Sequence, residues 1–206
     1  MAAGEPGHDH AHDHAHAADD DAAPGYFEIM ETALRELLVE RRLIGADEIR
    51  RQIEVLDSRT PALGAGVVAR AWVDPAFRAR LLADGRAACE ELGITFYDDT
   101  QLIVLENTDR VHNLIVCTLC SCYPRPVLGL PPDWYKLKPY RARAVLAEFG
   151  TILPAAMEIR VSDSMAQVRY LVLPRRPAGT DGLDEAALAA LVTRDAMIGV
   201  AEAGRP

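Results

Sequence analysis

The sequence predicts an α+β protein, with an N-terminal helical arm followed by a compact α/β-layered domain. Apolar residues recur at helical spacing over much of residues 26–92. Beyond residue 93, short β-type runs alternate with turn residues and one proline-rich segment. The chain has 206 residues, half of them apolar, and is long enough to bury a substantial core. Helices first and a mixed region second together predict this fold class.

Two helices are predicted in the arm. Residues 26–43 carry an amphipathic pattern that ends at Gly45, and residues 46–56 carry a second one. Residues 57–61 include a proline that ends the second helix, and a turn is expected at the two glycines of residues 64–66.

Shorter elements follow the expected turn. Residues 67–73 are apolar enough to be buried. Asp74 is a predicted helix N-cap, because a proline follows it at the first helical position, and this helix reaches Leu82. Another short helix begins after Asp84 and ends at Gly93.

The second half is predicted to hold short strands with a few helices between and after them. A hairpin or wide turn is expected at residues 162–164, and the prolines of residues 124–132 indicate a rigid loop. The predicted strands are residues 94–97, 102–105, 111–116, 158–161 and 167–173. The predicted helices are residues 134–149 and 183–193, with an extended end at residues 196–200.

The domain prediction has three parts. Residues 1–24 form a disordered tail, residues 25–66 form a helical arm that contacts a partner subunit, and residues 67–206 form the main domain. The tail holds six acidic residues, no Lys or Arg, and five of the six His. This composition fits a solvated arm and a weak metal-gathering tail equally well, because clustered imidazoles bind borderline first-row cations.

Composition excludes two classes of partner. The net charge is −9, from 22 Lys plus Arg against 31 Asp plus Glu, and no basic cluster offers a surface for nucleic acid. No segment approaches the roughly 20 consecutive apolar residues that a membrane span requires, and the N-terminus does not resemble a secretory signal. A soluble, cytoplasmic protein is therefore expected.

Three of the four cysteines lie within six residues, at Cys117, Cys120 and Cys122. Cys89 stands apart in an apolar helix and is expected to be a small buried residue. A disulfide scaffold is not expected, because a domain with this core does not need one and three thiols leave an odd cysteine. Metal ligation is the better explanation of the cluster.

Two kinds of metal site fit a cysteine cluster. Structural zinc usually takes four ligands from two separated pairs, and here no second Cys or His pair exists. His112 is the one His outside the tail and is expected to be a structural residue in a strand. The Cys-x-x-Cys-x-Cys spacing also allows the amide nitrogens of Ser121 and Cys122 to lie beside the ion, a donor set that suits a low-spin trivalent metal with one open position.

The cysteine box and several other segments resemble those of a known family. The cysteine box from Val116 to Cys122 is similar to that of nitrile hydratase α subunits, and nearly as similar to that of the matching subunit of thiocyanate hydrolase. Further matching segments are residues 71–75, 80–84, 106–108, 126–136, 145–150, 169–174, 176–179 and 191–199.

The resemblance implies a cobalt(III) or iron(III) site without a corrin or haem, held by the sulfurs of Cys117, Cys120 and Cys122 and the amides of Ser121 and Cys122. Cys120 is expected to be a sulfinate and Cys122 a sulfenate. Thr118 implies cobalt, since iron members usually carry Ser there, so iron is the less favoured metal. Cys122 and Cys120 are then the catalytic residues.

The implied reaction is hydration of a nitrile to an amide. The metal polarises the nitrile or activates water, and the Cys122 sulfenate oxygen acts as nucleophile or base. Two arginines of a separate β subunit hold the oxidised sulfurs, so the working enzyme is an αβ or α2β2 assembly and this chain alone is inactive. A cobalt-loading activator protein is a further expected partner.

The chain departs from the family pattern around the expected substrate pocket. Arg125 stands where many members have Trp, Asp98 where Gln is common, and Gln167 where Glu is usual. Ser162 also replaces a Trp, and a short stretch of the pattern is missing near Ala144. Asp98, Arg125 and Gln167 are the candidate pocket residues. The departures favour either a bulky heterocyclic nitrile or neutral differences between relatives.

Three functions remain open from the sequence. The first is a cobalt nitrile hydratase α subunit, and the second is a thiocyanate hydrolase-type subunit. The third is a metal-binding subunit without catalytic activity, for which the His-rich tail is the main argument.

Overall fold

The structure, a computed structural model, describes residues 23–97, 99–117, 123–131, 146 and 149–204. The chain divides into two units, residues 1–50 and residues 51–206. The predicted tail and most of the predicted helix at residues 134–149 lie outside the described residues.

The described part of the first unit is helical, as predicted. Helix α1 spans Tyr26–Glu40, and α2 spans Ala46–Asp57 and continues into the second unit. Helix α1 ends before its predicted bound because Arg42 adopts a φ of 56°, in the left-handed region. Neither helix has a buried residue, and Phe27 is 81% exposed. Whether this segment contacts a partner subunit stays a prediction.

Three helices open the second unit: α3 (Pro61–Val73), α4 (Pro75–Ala83) and α5 (Gly85–Glu91). The turn predicted at residues 64–66 is wrong, since these residues lie inside α3. A proline at its first position begins this helix, and Gly64 is needed for packing, because a Cβ there would lie 2.7 Å from the Val127 carbonyl oxygen.

Aspartate caps set the boundaries of the next two helices, which confirms both predicted starts. Asp74 Oδ1 accepts hydrogen bonds from the backbone N–H groups of Ala76 (2.9 Å) and Phe77 (3.0 Å). Asp84 Oδ1 accepts one from Ala87 (3.0 Å). The bonds from Phe77 and Ala76 also hold the pKa of Asp74 below its ordinary value.

The described strands form two separate parallel pairs. Strand β1 (Gln101–Glu106) pairs with β4 (Val168–Leu173), and β2 (Val111–Val116) pairs with β3 (Glu158–Asp163). Of the two alternatives expected at residues 162–164, the hairpin is therefore wrong, because β3 and β4 do not pair with each other, and β3 continues to Asp163. Strand β4 buries its last three residues, and β3 has none buried.

Three further local predictions are wrong. Residues 94–97 form no strand. The proline-rich loop contains a short helix, α6 (Arg125–Leu128), because its first prolines lie at the start, where a helix tolerates them. After α7 (Glu185–Ala189), the expected extended end is instead a helix, α8 (Arg194–Ile198), capped by the Thr193 hydroxyl, which accepts a hydrogen bond from Ala196 N–H (3.2 Å).

Helix α3 and strand β4 contribute much of the core of the second unit. Val67 and Val68 of α3 are fully buried, together with Leu81 of α4 and Leu171 of β4. The predicted mixed α+β composition is confirmed. Among the described residues, no helix is both long and apolar enough to cross a membrane.

Two glycines of α3 provide a matched test of this packing. Gly64→Ala is expected to lower the free energy of unfolding by about 1–3 kcal/mol, because the new methyl group meets Val127 and Met197. Gly66→Ala, with open space at the same Cβ position, is expected to raise it by about 0.5–1 kcal/mol through helix propensity. Urea denaturation of both variants measures the difference, and equal effects would contradict this account of α3.

Candidate metal centre

Cys117 follows directly on strand β2, which fixes its position. Leu114, Ile115 and Val116 of this strand are buried, and the Val116 carbonyl accepts a hydrogen bond from Ser164 N–H (2.9 Å). Cys117 itself is half-buried and packs against the main core. The first sulfur of the predicted metal site is therefore attached to a well-packed strand.

The segment after the cysteine box is also firmly held. Tyr123 is 4% exposed, and its carbonyl accepts a hydrogen bond from Arg125 N–H (2.8 Å). The Pro124 carbonyl accepts from Val127 and Leu128, both at 3.1 Å. Gly129 ends α6 with a φ of 71°, which favours glycine. Residues 118–122 thus connect two fixed points.

The other predicted metal ligands lie outside the described residues. These are Cys120, Ser121 and Cys122, with Thr118 beside them. Their role as ligands and the catalytic role of Cys120 and Cys122 stay predictions. Within the described residues, no group of three His, Cys, Asp or Glu side chains is placed to hold a metal ion.

His112 has a structural role at the start of β2, as expected. Its Nε2 lies 2.7 Å from the Gly199 carbonyl oxygen, to which it donates, and its Nδ1 accepts from Asn107 Nδ2 at 3.3 Å. The Asn107 side-chain oxygen accepts from Asn113 N–H (2.7 Å) and Asn113 Nδ2 (3.0 Å). Five residues of strand also place His112 roughly 16 Å from Cys117.

A buried hydroxyl lies beside the first cysteine. Ser164 follows β3, is 2% exposed, and has no hydrogen-bond partner for its Oγ among the described residues. A buried hydroxyl without a partner costs free energy, so a polar group from the neighbouring segment would stabilise it.

Cys89 differs from Cys117 in its surroundings. It lies in α5 with an exposed fraction of 0%, and burial raises the pKa of its thiol to about 12. The thiol therefore stays protonated near neutral pH. The expectation that Cys89 is a small buried core residue is confirmed.

A cavity of about 310 Å³ is lined in part by residues 123–126, which follow the cysteine box in the sequence. It is lined by Tyr123, Pro124 and Arg125, and also by Arg59 and Arg169. Arg59 and Arg169 were not predicted from the sequence as pocket residues. Arg169 belongs to a segment that matches the family, whereas no local pattern distinguished Arg59.

The three predicted pocket residues differ in their position relative to this cavity. Arg125 lines the cavity. Gln167 is exposed and is not among the lining residues, although its carbonyl accepts a hydrogen bond from Gln101 N–H (2.8 Å) at the cavity edge. Asp98 lies outside the described residues, next to the lining residue Tyr97.

Comparison with known proteins explains the cysteine box. Residues 25–201 match the family described as nitrile hydratase, alpha chain. The chain belongs to this family. Membership confirms the resemblance found in the sequence, including its close relation to thiocyanate hydrolase, and confirms that the chain is an enzyme subunit.

Three relatives illustrate the range of the family. The low-molecular weight cobalt-containing nitrile hydratase subunit alpha of Rhodococcus rhodochrous is 54% identical over 175 residues, covering 82% of this chain and 84% of the relative. Thiocyanate hydrolase subunit gamma of Thiobacillus thioparus is 42% identical, with 85% and 79% covered. A solved double histidine-to-alanine mutant of the Fe-type nitrile hydratase of Comamonas testosteroni Ni1 gives a TM-score of 0.80 at 42% identity, with 88% and 92% covered.

His112 also generates a pH prediction. Burial holds its pKa below the ordinary 6.5, so between the folded and unfolded pKa values the unfolded chain binds more protons. The stability that depends on neutral His112 is therefore fully present above pH 6.5 and is lost as the pH falls towards the folded pKa.

His112→Gln tests this linkage. The variant is expected to lower the free energy of unfolding by about 1–3 kcal/mol at pH 7.5, because buried hydrogen bonds are lost or weakened. Urea denaturation at pH 7.5 and pH 5.5 should show a smaller gap between wild type and variant at the lower pH. A gap that widens on acidification would contradict a buried neutral His112.

Proposed function

We propose that this chain is the α subunit of a cobalt nitrile hydratase, which hydrates a nitrile to the corresponding amide. The observation that carries the proposal is Cys117 at the end of β2, at the start of a short segment whose far end is fixed by buried Tyr123. The family relation supports the same conclusion.

Cobalt is supported by Thr118 and by the cobalt-containing relative at 54% identity. The proposed ligands are the sulfurs of Cys117, Cys120 and Cys122 with the amides of Ser121 and Cys122. Thiolate and amide donors suit a low-spin trivalent ion, and no residue outside the segment is needed. When bound, such an ion supplies the positive charge that makes a poorly electrophilic nitrile carbon reactive.

The oxidised cysteines are the reactive groups that this chain contributes. Cys122 as a sulfenate stands at the reversible step of thiol oxidation, and Cys120 as a sulfinate stands at the next, irreversible step. The Cys122 sulfenate oxygen acts as nucleophile towards the nitrile or as base towards water. Cys117 remains a thiolate and holds the site to the strand.

A β subunit completes the site in this proposal. Sulfinate and sulfenate oxygens are anionic and are costly to bury without cationic partners. Two arginines of the β subunit would supply those partners, so the isolated α chain should not turn over substrate. The Ser164 hydroxyl would add a neutral hydrogen bond on the α side.

Thiocyanate hydrolysis is the second candidate function. It is favoured by the 42% identity to the thiocyanate hydrolase gamma subunit and by the arginine-lined cavity. The higher identity to nitrile hydratase α subunits favours nitrile hydration as the main proposal.

The test is co-expression with a nitrile hydratase β subunit in cobalt-supplemented medium. We expect about one cobalt per chain, and a Cys117 to Cys122 peptide that is heavier by about three oxygen atoms, as one sulfinate plus one sulfenate require. Amide formation from a panel of nitriles, with ammonia release from thiocyanate measured in parallel, then separates the two candidate functions.

A pair of cysteine variants controls the experiment. Cys117→Ala should abolish cobalt binding and turnover, whereas Cys89→Ala should keep the full cobalt ratio, because its buried thiol is protonated. Zinc in the wild-type complex with unmodified thiols would contradict the catalytic proposal and leave a metal-binding subunit.

A further inference from the structure

We propose that the Ser164 hydroxyl donates a hydrogen bond to the sulfur of Cys117 when this cysteine is a metal ligand. Ser164 is then a positioning residue, which orients the first ligand and tunes the charge on its sulfur. The proposal rests on the proposed cobalt site. It names the acceptor of a buried hydroxyl to which neither the family relation nor the names of the relatives assign a role.

Ser164 lies beside Cys117 across the pair of strands β2 and β3. The parallel register matches Val116 with Asp163, and the Ser164 N–H donates to the Val116 carbonyl (2.9 Å). The next residues along the two strands are Cys117 and Ser164. Neighbouring strands lie about 5 Å apart, which is therefore the separation expected between the Cα atoms of these two residues.

The two side chains belong to the same face of this pair of strands. Residues matched across a parallel pair direct their side chains to one face, and the face alternates along each strand. Ile115, two residues before Cys117, belongs to the main core, and Cys117 packs against the same core. Ser164 is 2% exposed, so it shares a buried face with the first cysteine of the box.

The Ser164 hydroxyl differs from two other buried hydroxyls of the second unit. Thr151 Oγ1 donates to the Val200 carbonyl (2.6 Å), and Thr180 Oγ1 donates to the Pro177 carbonyl (2.7 Å). Ser164 Oγ has no hydrogen-bond partner among the described residues. A buried hydroxyl without a partner lowers stability, so an acceptor that forms only with the bound metal explains its presence here.

Cys117 is that acceptor because a cysteine binds a metal as a thiolate. A protonated thiol accepts hydrogen bonds weakly, whereas a thiolate carries the charge that strengthens them. The hydroxyl of Ser164 is directed by rotation about one bond, so it can turn towards the neighbouring sulfur without a change in the backbone. The hydrogen bond draws electron density from the sulfur, and contacts of this kind tune both the affinity and the electronic properties of a metal site.

The experiment compares variants of the cobalt-loaded αβ complex with the same variants of the cobalt-free chain. Ser164→Ala removes the hydroxyl without adding bulk, and Ser164→Thr keeps a hydroxyl at this position. Thr180→Val is the matched control, because it removes a buried hydroxyl that has its own acceptor and is no part of the proposed metal site. Visible absorption, cobalt content and urea denaturation are measured for each variant.

In the loaded complex, Ser164→Ala should move the sulfur-to-cobalt charge-transfer band to longer wavelength, because the sulfur becomes richer in electrons. The apparent affinity for cobalt should fall by about 10- to 100-fold, as is typical when a contact to a metal ligand is removed. It is measured as cobalt per chain over a range of cobalt concentrations. Ser164→Thr should keep the wild-type band and affinity, and Thr180→Val should match wild type in both.

The cobalt-free chain should respond differently. There Ser164→Ala should leave the free energy of unfolding unchanged or raise it, because the hydroxyl that is removed has no described acceptor. Thr180→Val should lower the free energy of unfolding, because a buried hydrogen bond is lost. A purely structural serine would instead lower stability on replacement whether or not cobalt is bound.

Three results would overturn the proposal. One is an unchanged absorption band and cobalt affinity in the folded Ser164→Ala complex. Another is a lower free energy of unfolding of the cobalt-free Ser164→Ala chain, which would mean that the hydroxyl has a partner without the metal. The third is a Ser164→Thr variant that folds and binds cobalt but shows the absorption band of the alanine variant.

Failure of the proposed function gives a different result. In that case the wild-type complex contains zinc or no metal and shows no sulfur-to-cobalt band, and the inference about Ser164 fails with it. A cobalt-loaded complex that hydrates nitriles and is unaffected by Ser164→Ala would instead leave nitrile hydration standing and remove only this inference.

Discussion

Much of the candidate site depends on how strand β2 is held at its beginning. The side chains of Asn107 and His112 are hydrogen-bonded to each other. Asn107 also accepts hydrogen bonds from Asn113, and His112 donates one to the Gly199 carbonyl. These side chains are buried, and each hydrogen bond offsets the free-energy cost of removing a polar group from water. A shifted register of β2 would break these bonds and leave that cost uncompensated. The strand then runs through three buried apolar residues to Cys117. The position of Cys117 therefore depends on the hydrogen bonds of His112, about five residues earlier in the chain.

Features with a local cause could be predicted from the sequence. The Asp74 and Asp84 caps, and the apolar pattern of β1 and β2, depend on residues a few positions apart. The cysteine box could likewise be found from its spacing, and Cys117 follows directly on β2, whereas its role as a metal ligand stays a prediction.

Features that depend on distant contacts could not be predicted. Gly64 packs against Val127, 63 positions away, and this contact decides that the glycine lies in a helix rather than a turn. Strands β3 and β4 follow each other closely, but each pairs with a strand more than 40 residues earlier, and such distant pairing leaves no local pattern in the sequence. Arg59 reaches the cavity from the segment between α2 and α3, and the local sequence there carries no signal of it.

The backbone around Arg125 is held without help from its side chain. Its N–H donates to the Tyr123 carbonyl, and its own carbonyl accepts from Gly129 N–H at 3.0 Å. Replacement of this side chain therefore leaves these main-chain hydrogen bonds of α6 in place. In evolutionary terms, a single codon can change the side chain that lines the cavity while the backbone that carries it is inherited unchanged.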